Sequence, residues 1–145
     1  MRVSTKGDYG LRALVELALR YGQGQLQSAE IAARQGIPEP YLDQLLTTLR
    51  RAGFIRSVRG PQGGHSLVRR PEELKLSEVL LALEGSLSPI GWLDDPNGGR
   101  TGREAQRPVW EAVRDATLKV LDGVTIADLA EKERQRVGDG DRYVI

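Results

Sequence analysis

The sequence predicts a mainly α fold with a small β wing: a winged helix-turn-helix followed by a long C-terminal helix. Three features support this. Residues 28–51 read as two amphipathic helical segments joined by a glycine–proline turn. Two short alternating segments follow at once, around Gly60-Pro61-Gln62-Gly63-Gly64. Farther on, residues 108–122 carry Val109, Val113, Val120 and Leu121 along one side of a helix outside the small winged part.

The first helix is expected over Met1 to Tyr21. Thr5 and Asp8 match the S/T-x-x-D/E capping pattern, with Asp a weaker partner than Glu. Leu11, Leu14, Ala18 and Tyr21 keep helical spacing, and Gly22 and Gly24 end the segment. Lys6 and Arg12 lie off that stripe. Arg12 reads as solvated, and Lys6 is balanced between a phosphate contact and solvation.

Ser28 is the expected N-cap of the next helix, because its hydroxyl can accept from an orphan backbone N–H. Ile31 and Ala32 supply the apolar side, and Gly36 can take the left-handed conformation that ends it. Ile37 and Pro38 make the turn, and a second helix runs from about Pro40 to Arg51. Leu42, Leu45 and Leu49 line its buried face. The other face carries Asp43, Gln44, Thr47, Thr48 and Arg51, which suit base edges and phosphates. Gly53 stops this helix. Phe54 to Arg59 and His65 to Val68 then alternate as strands of a basic hairpin.

Beyond the hairpin, Pro71 breaks the chain, Ser77 is the expected cap of a helix with Val79, Leu80 and Leu83 inward, and Gly85 closes it. Residues 86–102 are loop-like, with Ile90, Trp92 and Leu93 expected to tuck against a neighbour and the second half expected to be mobile. A longer helix follows to Asp122, and Thr125 can cap a short one bearing Ile126, Leu129 and Ala130. The organisation is therefore 1–85 for the DNA-binding part and 86–103 for a flexible loop. Residues 104–131 form a dimerisation helix with a short helix after it, and 132–145 a flexible tail.

The long helix has two readings, packing on its own chain or meeting a second copy. Val109, Trp110, Val113, Thr117, Val120 and Leu121 are the candidate dimer contacts, by analogy with DNA readers that bind paired half-sites. The tail ends in Tyr143-Val144-Ile145, either a frayed or resting terminus or a peptide ligand with a free carboxylate.

Composition narrows the function. The chain has no cysteine and one histidine, His65. Disulfides, thiolate catalysis, zinc–thiolate sites and cysteine-held clusters are excluded, and no cofactor is expected. No apolar run approaches a membrane span and no signal peptide opens the chain, so a cytoplasmic protein without membrane contact is expected. The net charge of +1 is divided: residues 1–70 hold eleven Arg and Lys against five Asp and Glu, and residues 71–145 hold ten against fifteen. The N-terminal half is thus +6, the electrostatic footprint of a duplex binder, and the other half −5. No nucleophile–base pair or metal cluster appears, and the glycine-rich turn lacks the Lys-Ser/Thr of a phosphate loop, so the chain does not read as an enzyme.

Three stretches, MRVSTKGDYGLRALVELA, YLDQLLTTLRRAGFIRSVRGPQGG and VTIADLA, together resemble the Rrf2 family of bacterial transcription regulators, with SVRGPQGG the most specific part. The resemblance implies a homodimeric winged-helix binder of double-stranded DNA joined through its long C-terminal helix. In one branch, three Cys and a His in the loop and the start of that helix hold a [2Fe–2S] cluster. Here the corresponding stretch is WLDDPNGGRTGREAQ, with Arg107 near the histidine's place, and Asp94, Asp95 and Glu104 are hard ligands mismatched to an iron–sulfide core.

LEGSLSPIGWLDD and PVWEAVRDATLKVLDGVTIADLA are instead similar to a cluster-free branch of cysteine-metabolism repressors, as is the aromatic tip with its terminal Ile. That likeness implies cysteine synthase as a partner, since its active site accepts a C-terminal Ile peptide. The resemblance places Gln44 as a base reader, where its amide can pair with adenine, and Asp43 where an acid tunes sequence choice. It places Arg59 as the minor-groove arginine beside Gly60, Gly63 and Gly64, glycines that either admit a close backbone approach or merely turn the hairpin. Arg50, Arg51 and Arg56 are candidate phosphate contacts, and His65 a wing residue near phosphate. Pro38 and Pro40 replace hydroxyl residues of the cluster branch, so the operator differs. The function expected is a sequence-specific DNA-binding repressor. The alternatives are a regulator of another pathway with its own effector, or a protein-interaction module that has lost DNA binding.

Overall fold

The computed structural model describes residues 2–97 and 102–143, with residues 139–143 described by backbone alone. It contains α1 (Thr5–Leu19), α2 (Ser28–Gln35), α3 (Glu39–Arg51), β1 (Ile55–Val58), β2 (Gly64–Leu67), α4 (Leu76–Glu84), α5 (Arg107–Asp122) and α6 (Ile126–Tyr143). Single 3-10 turns lie at Pro71–Glu73 and Gly91–Asp94. The strands pair antiparallel, from Ile55 opposite Leu67 to Val58 opposite Gly64. The winged helix-turn-helix expected from the sequence is present. Among the described residues no helix is long and apolar enough to cross a membrane.

One core joins these elements. Ala13, Leu14, Leu17 and Ala18 of α1 meet Leu42, Leu45, Leu46 and Leu49 of α3, with Val79 and Leu83 of α4 closing the other side. Tyr21 lies beyond the end of α1 and is exposed, so it does not extend the stripe as its spacing suggests. Gly36 has φ +65° and ends α2 as expected, because the left-handed conformation costs a residue without Cβ little.

Three caps differ from the sequence pattern. Ser4, not Thr5, caps α1: it is extended, its hydroxyl accepts from Gly7 N, and both its N–H and its hydroxyl donate to Glu84 of α4. Ser28 does not cap α2, because the helix begins at Ser28 itself after an extended Gln27. Ser77 does not cap α4 either. It is buried in the first turn and donates to the Asp122 carboxylate at the end of α5. Thr125 does cap α6, in a reciprocal pair: its N–H donates to Asp128 Oδ2 at 2.9 Å, and Asp128 N–H donates to Thr125 Oγ1 at 3.1 Å.

The α5–α6 turn is tied to the start of α4 by two backbone bonds, Leu76 N–H to Val124 O and Ile126 N–H to Leu74 O, both 2.9 Å. This pairing brings α6 onto α1 and places Ile126 and Ala130 in the same core as Leu14. The last helix is accordingly not short. Where the composition of residues 132–145 predicts a flexible tail, the backbone stays helical to Tyr143. In the loop after α4, Leu87 and Leu93 are buried and Ile90 and Trp92 half-buried, as expected for its first half; residues 98–101 lie outside the described residues.

Candidate nucleic-acid interface

The outward face of α3 is set by its opposite face. Leu42, Leu45, Leu46 and Leu49 are buried, and this leaves Asp43, Gln44, Arg50 and Arg51 exposed on the outward face. Pro38 precedes the helix and Pro40 sits in its first turn, where a missing N–H leaves no bond unmade. Thr47 and Thr48 are half-buried, and each hydroxyl donates to the carbonyl four residues back, Asp43 O at 2.9 Å and Gln44 O at 3.2 Å. Their protons are committed within the helix. Each threonine therefore presents a methyl group and an oxygen lone pair, not the donor its residue type suggests.

The wing is anchored by a pairing that the local pattern does not reveal. His65 N–H donates to Leu26 O at 2.8 Å and Leu26 N–H donates to His65 O at 2.9 Å, so the segment before α2 acts as a third short strand. Gln27 Nε2 also donates to Pro61 O at 3.3 Å, tying the wing tip to the start of α2. Gly60, Gly63, Gly64 and His65 consequently form a groove with Ser28, Ala29 and Glu39, the last being the first residue of α3. In the sequence Glu39 reads as an ordinary helix-start acid, favoured there by the helix dipole.

Two wing glycines have an internal reason. A Cβ at Gly63 would collide with the Val58 carbonyl and stand 2.8 Å from Arg59 C, and one at Gly64, where φ is +147°, would stand 2.8 Å from Leu26 O. Close packing of the hairpin on its own backbone thus accounts for both, whatever approaches from outside. Arg59 is exposed at the tip, while Arg56 reaches across to Ser66 Oγ at 3.4 Å. His65 is half-buried, its Nδ1 lies 2.7 Å from Ser57 Oγ, and burial lowers its pKa, opposed by Asp43 and reinforced by Arg50.

Among the described residues, the side chains of Lys6, Gln44, Arg50, Arg51 and Arg59 make no hydrogen bond or ion pair within the chain. Lys6 sits one helical turn before Tyr9, whose ring meets that of Tyr41 edge-on at 5.7 Å, which brings the start of α1 to the start of α3. Arg12 is not solvated as expected. It pairs with Asp8 at 3.0 Å, donates to Gln35 O at 3.0 Å and lies over the Tyr9 ring.

An Arg59→Ala variant is expected to lose more affinity for its specific site than for unrelated duplexes. Titrations at one salt concentration check this; equal losses on every sequence would reduce Arg59 to a phosphate contact.

On α5 no residue is buried, and Val109, Val113 and Val120 are 58, 38 and 68 % exposed. Trp110 is half-buried and donates to Gln106 Oε1 at 3.1 Å, and Thr117 donates to Val113 O at 2.9 Å. Leu121 turns the other way, against the core of its own chain. The candidate dimer stripe is therefore divided. Of the tail candidates, Tyr143 ends α6 with its side chain undescribed, and Val144 and Ile145 lie outside the described residues.

A profile of the Rrf2 family, described as iron-dependent transcriptional regulator, matches residues 3–132. The chain is 39 % identical over 130 residues to the HTH-type transcriptional regulator CymR of Bacillus subtilis strain 168, covering 90 % of each chain. The solved structure of CymR (YrzC), the global cysteine regulator of B. subtilis, superposes with a TM-score of 0.77 at 38 % identity, over 91 % of this chain and 98 % of that one. T. potens IscR gives 0.74 at 40 % identity, over 92 % and 88 %.

The iron chemistry in the family's description does not fit these residues. There is no cysteine, and the single histidine lies in a wing strand. Asp94 is occupied by the hydroxyls of Ser86 and Ser88, which hold its carboxyl below the usual range. Arg107 lies over the Trp92 ring and 3.7 Å from Glu111. Among the described residues no group of His, Cys, Asp and Glu could hold a metal ion. The matched relatives are transcription regulators and not enzymes. On the match of nearly the whole chain and the shared winged-helix fold, this chain belongs to the Rrf2 family of helix-turn-helix DNA-binding transcription regulators.

Proposed function

We propose that the chain is a cytoplasmic, cluster-free repressor that reads double-stranded DNA as a homodimer and takes its signal from a protein partner, cysteine synthase. The observation that carries the dimer is α5, sixteen residues without one buried side chain and with Val109, Val113 and Val120 facing outward. A helix with an unpartnered apolar side leaves that surface in water unless a second copy covers it. In this reading Gln44 contacts base edges, Asp43 adjusts the preference, and Thr47 and Thr48 offer methyl groups and lone pairs. Arg59 enters the minor groove at the wing, Gly60, Gly63 and Gly64 shape its tip, and Lys6, Arg50, Arg51 and Arg56 meet phosphates.

The link to cysteine metabolism is supported by the likeness to a solved relative described as the global cysteine regulator of B. subtilis, together with the absence of thiolates from this sequence. The partner handle is Tyr143-Val144-Ile145. Titrating cysteine synthase with the intact chain and with a chain lacking these three residues tests it. Binding by the intact chain alone is expected. Binding by both chains moves the handle elsewhere, and binding by neither removes the enzyme as partner while leaving the DNA-binding reading intact.

A further inference from the structure

Between α1, the end of α2 and α6 lies a cleft of about 700 Å³, within the roughly 300–1,000 Å³ range of small-molecule sites. None of the residues assigned to DNA, to a second copy or to the C-terminal partner handle Tyr143-Val144-Ile145 lines it. Glu16 does. Among the described residues it is the only charged side chain that is buried, at 6 % exposure. Its Oε1 accepts from Gln35 Nε2 at 2.6 Å, but its Oε2 accepts no hydrogen bond. Arg34 Nη1 lies 3.6 Å from this oxygen, and Arg34 is already paired with Glu30 at 2.9 Å. A buried carboxylate oxygen left without a donor is costly, and a group that supplies one is stabilised there.

Among the charged residues that line the cleft, Lys132 of α6 supplies the complementary charge. Arg12, Arg34 and Arg136 each pair with an acid, whereas Lys132 is exposed and has no such partner among the described residues. The cleft is also lined by half-buried Leu11, Val15 and Leu129. One unsatisfied negative oxygen, one unmatched positive charge and an apolar wall complement a small molecule carrying an ammonium, a carboxylate and an apolar group.

We propose that this cleft binds an α-amino acid with an apolar or aromatic side chain, its ammonium donating to Glu16 Oε2 and its carboxylate facing Lys132. The arriving ammonium displaces only the 3.6 Å contact of Arg34, which keeps its bond to Glu30. The site is also connected to the reading helix. Glu16 holds the Gln35 side chain and Arg12 holds the Gln35 carbonyl, and the next residue, Gly36, begins the turn into α3. A ligand on Glu16 acts on the grip that seats α2 and α3 against α1, so its binding differs between seatings of that pair. This regulatory consequence rests on the DNA-binding reading above, whereas the binding itself does not.

The test uses the full chain without DNA. Each of the standard L-α-amino acids is added at about 10 mM, and the thermal midpoint is read. An apolar or aromatic amino acid is expected to raise it by about 5 °C when present at about a hundred times its Kd. The N-acetylated and the carboxamide forms of the same compound are expected to give no rise. Glu16→Gln is expected to abolish the shift, and Lys132→Gln to weaken binding about tenfold. Because Lys132 is exposed, its variant keeps the test valid if a change at buried Glu16 prevents folding. No shift with any amino acid, equal binding of the acetylated form, or undiminished binding by Lys132→Gln each overturns the proposal. An amino acid that binds yet leaves DNA affinity unchanged overturns the connection to α3 alone.

Discussion

Leu49→Ala is expected to remove about 2–5 kcal/mol of folding stability, a large share of the roughly 5–15 kcal/mol of a domain this size. Leu49 is fully buried in the last turn of α3, among Leu42, Leu45 and Leu46 and against α1. Removing its isobutyl group loses the transfer energy and leaves a cavity that the surrounding helices fill only in part. A lower urea midpoint at unchanged slope is the reading that checks it. Gln44→Ala, five residues earlier and exposed, is the contrasting variant. It is expected to leave the midpoint within about 0.5 kcal/mol while costing about 1–3 kcal/mol of base discrimination. If Gln44→Ala unfolds the chain, or Leu49→Ala leaves the midpoint in place, the assignment of the two faces of α3 is wrong.

Val113→Asp is expected to raise the dissociation constant of the homodimer by about a hundredfold or more, since an unpaired carboxylate in an apolar interface costs several kcal/mol. Val113 is 38 % exposed within one chain, so the folded monomer tolerates the change, and helical content by circular dichroism is expected to stay the same. Sedimentation velocity at micromolar concentration reads the outcome. An unchanged profile would move the interface off this side of α5. Leu121→Asp separates interface from core: Leu121 packs on its own chain, so an acid there is expected to lower the thermal midpoint rather than only to split the dimer.

Much of the winged part was legible because it depends on residues within a turn or two of one another. The spacing of Leu42, Leu45 and Leu49 sets the buried face of α3 regardless of what packs on it, and with it the outward face of Asp43 and Gln44. Gly36 ends α2, and the Thr125–Asp128 pair begins α6, through bonds that close over three or four residues. Where a residue type has two local uses, spacing does not choose between them. Ser77 resembles a cap and is instead buried against Asp122, forty-five positions away. Ser4 takes the cap from Thr5 because Glu84 of α4 engages its N–H and hydroxyl.

By itself the sequence determined the fold class, the order of the helices and wing, the outward face of α3, and the exclusion of a cysteine-held cluster. Only the tertiary structure decided what distant segments do to one another. Leu26 pairs with His65, and Leu74 and Leu76 with Ile126 and Val124, through backbone groups that every residue but proline carries alike, so no side-chain pattern announces them. Those pairings bring α6 onto α1. They place one wall of the cleft at Leu129 and Lys132 and its floor at Glu16, a residue that α1 taken alone gives no reason to distinguish from a solvated acid.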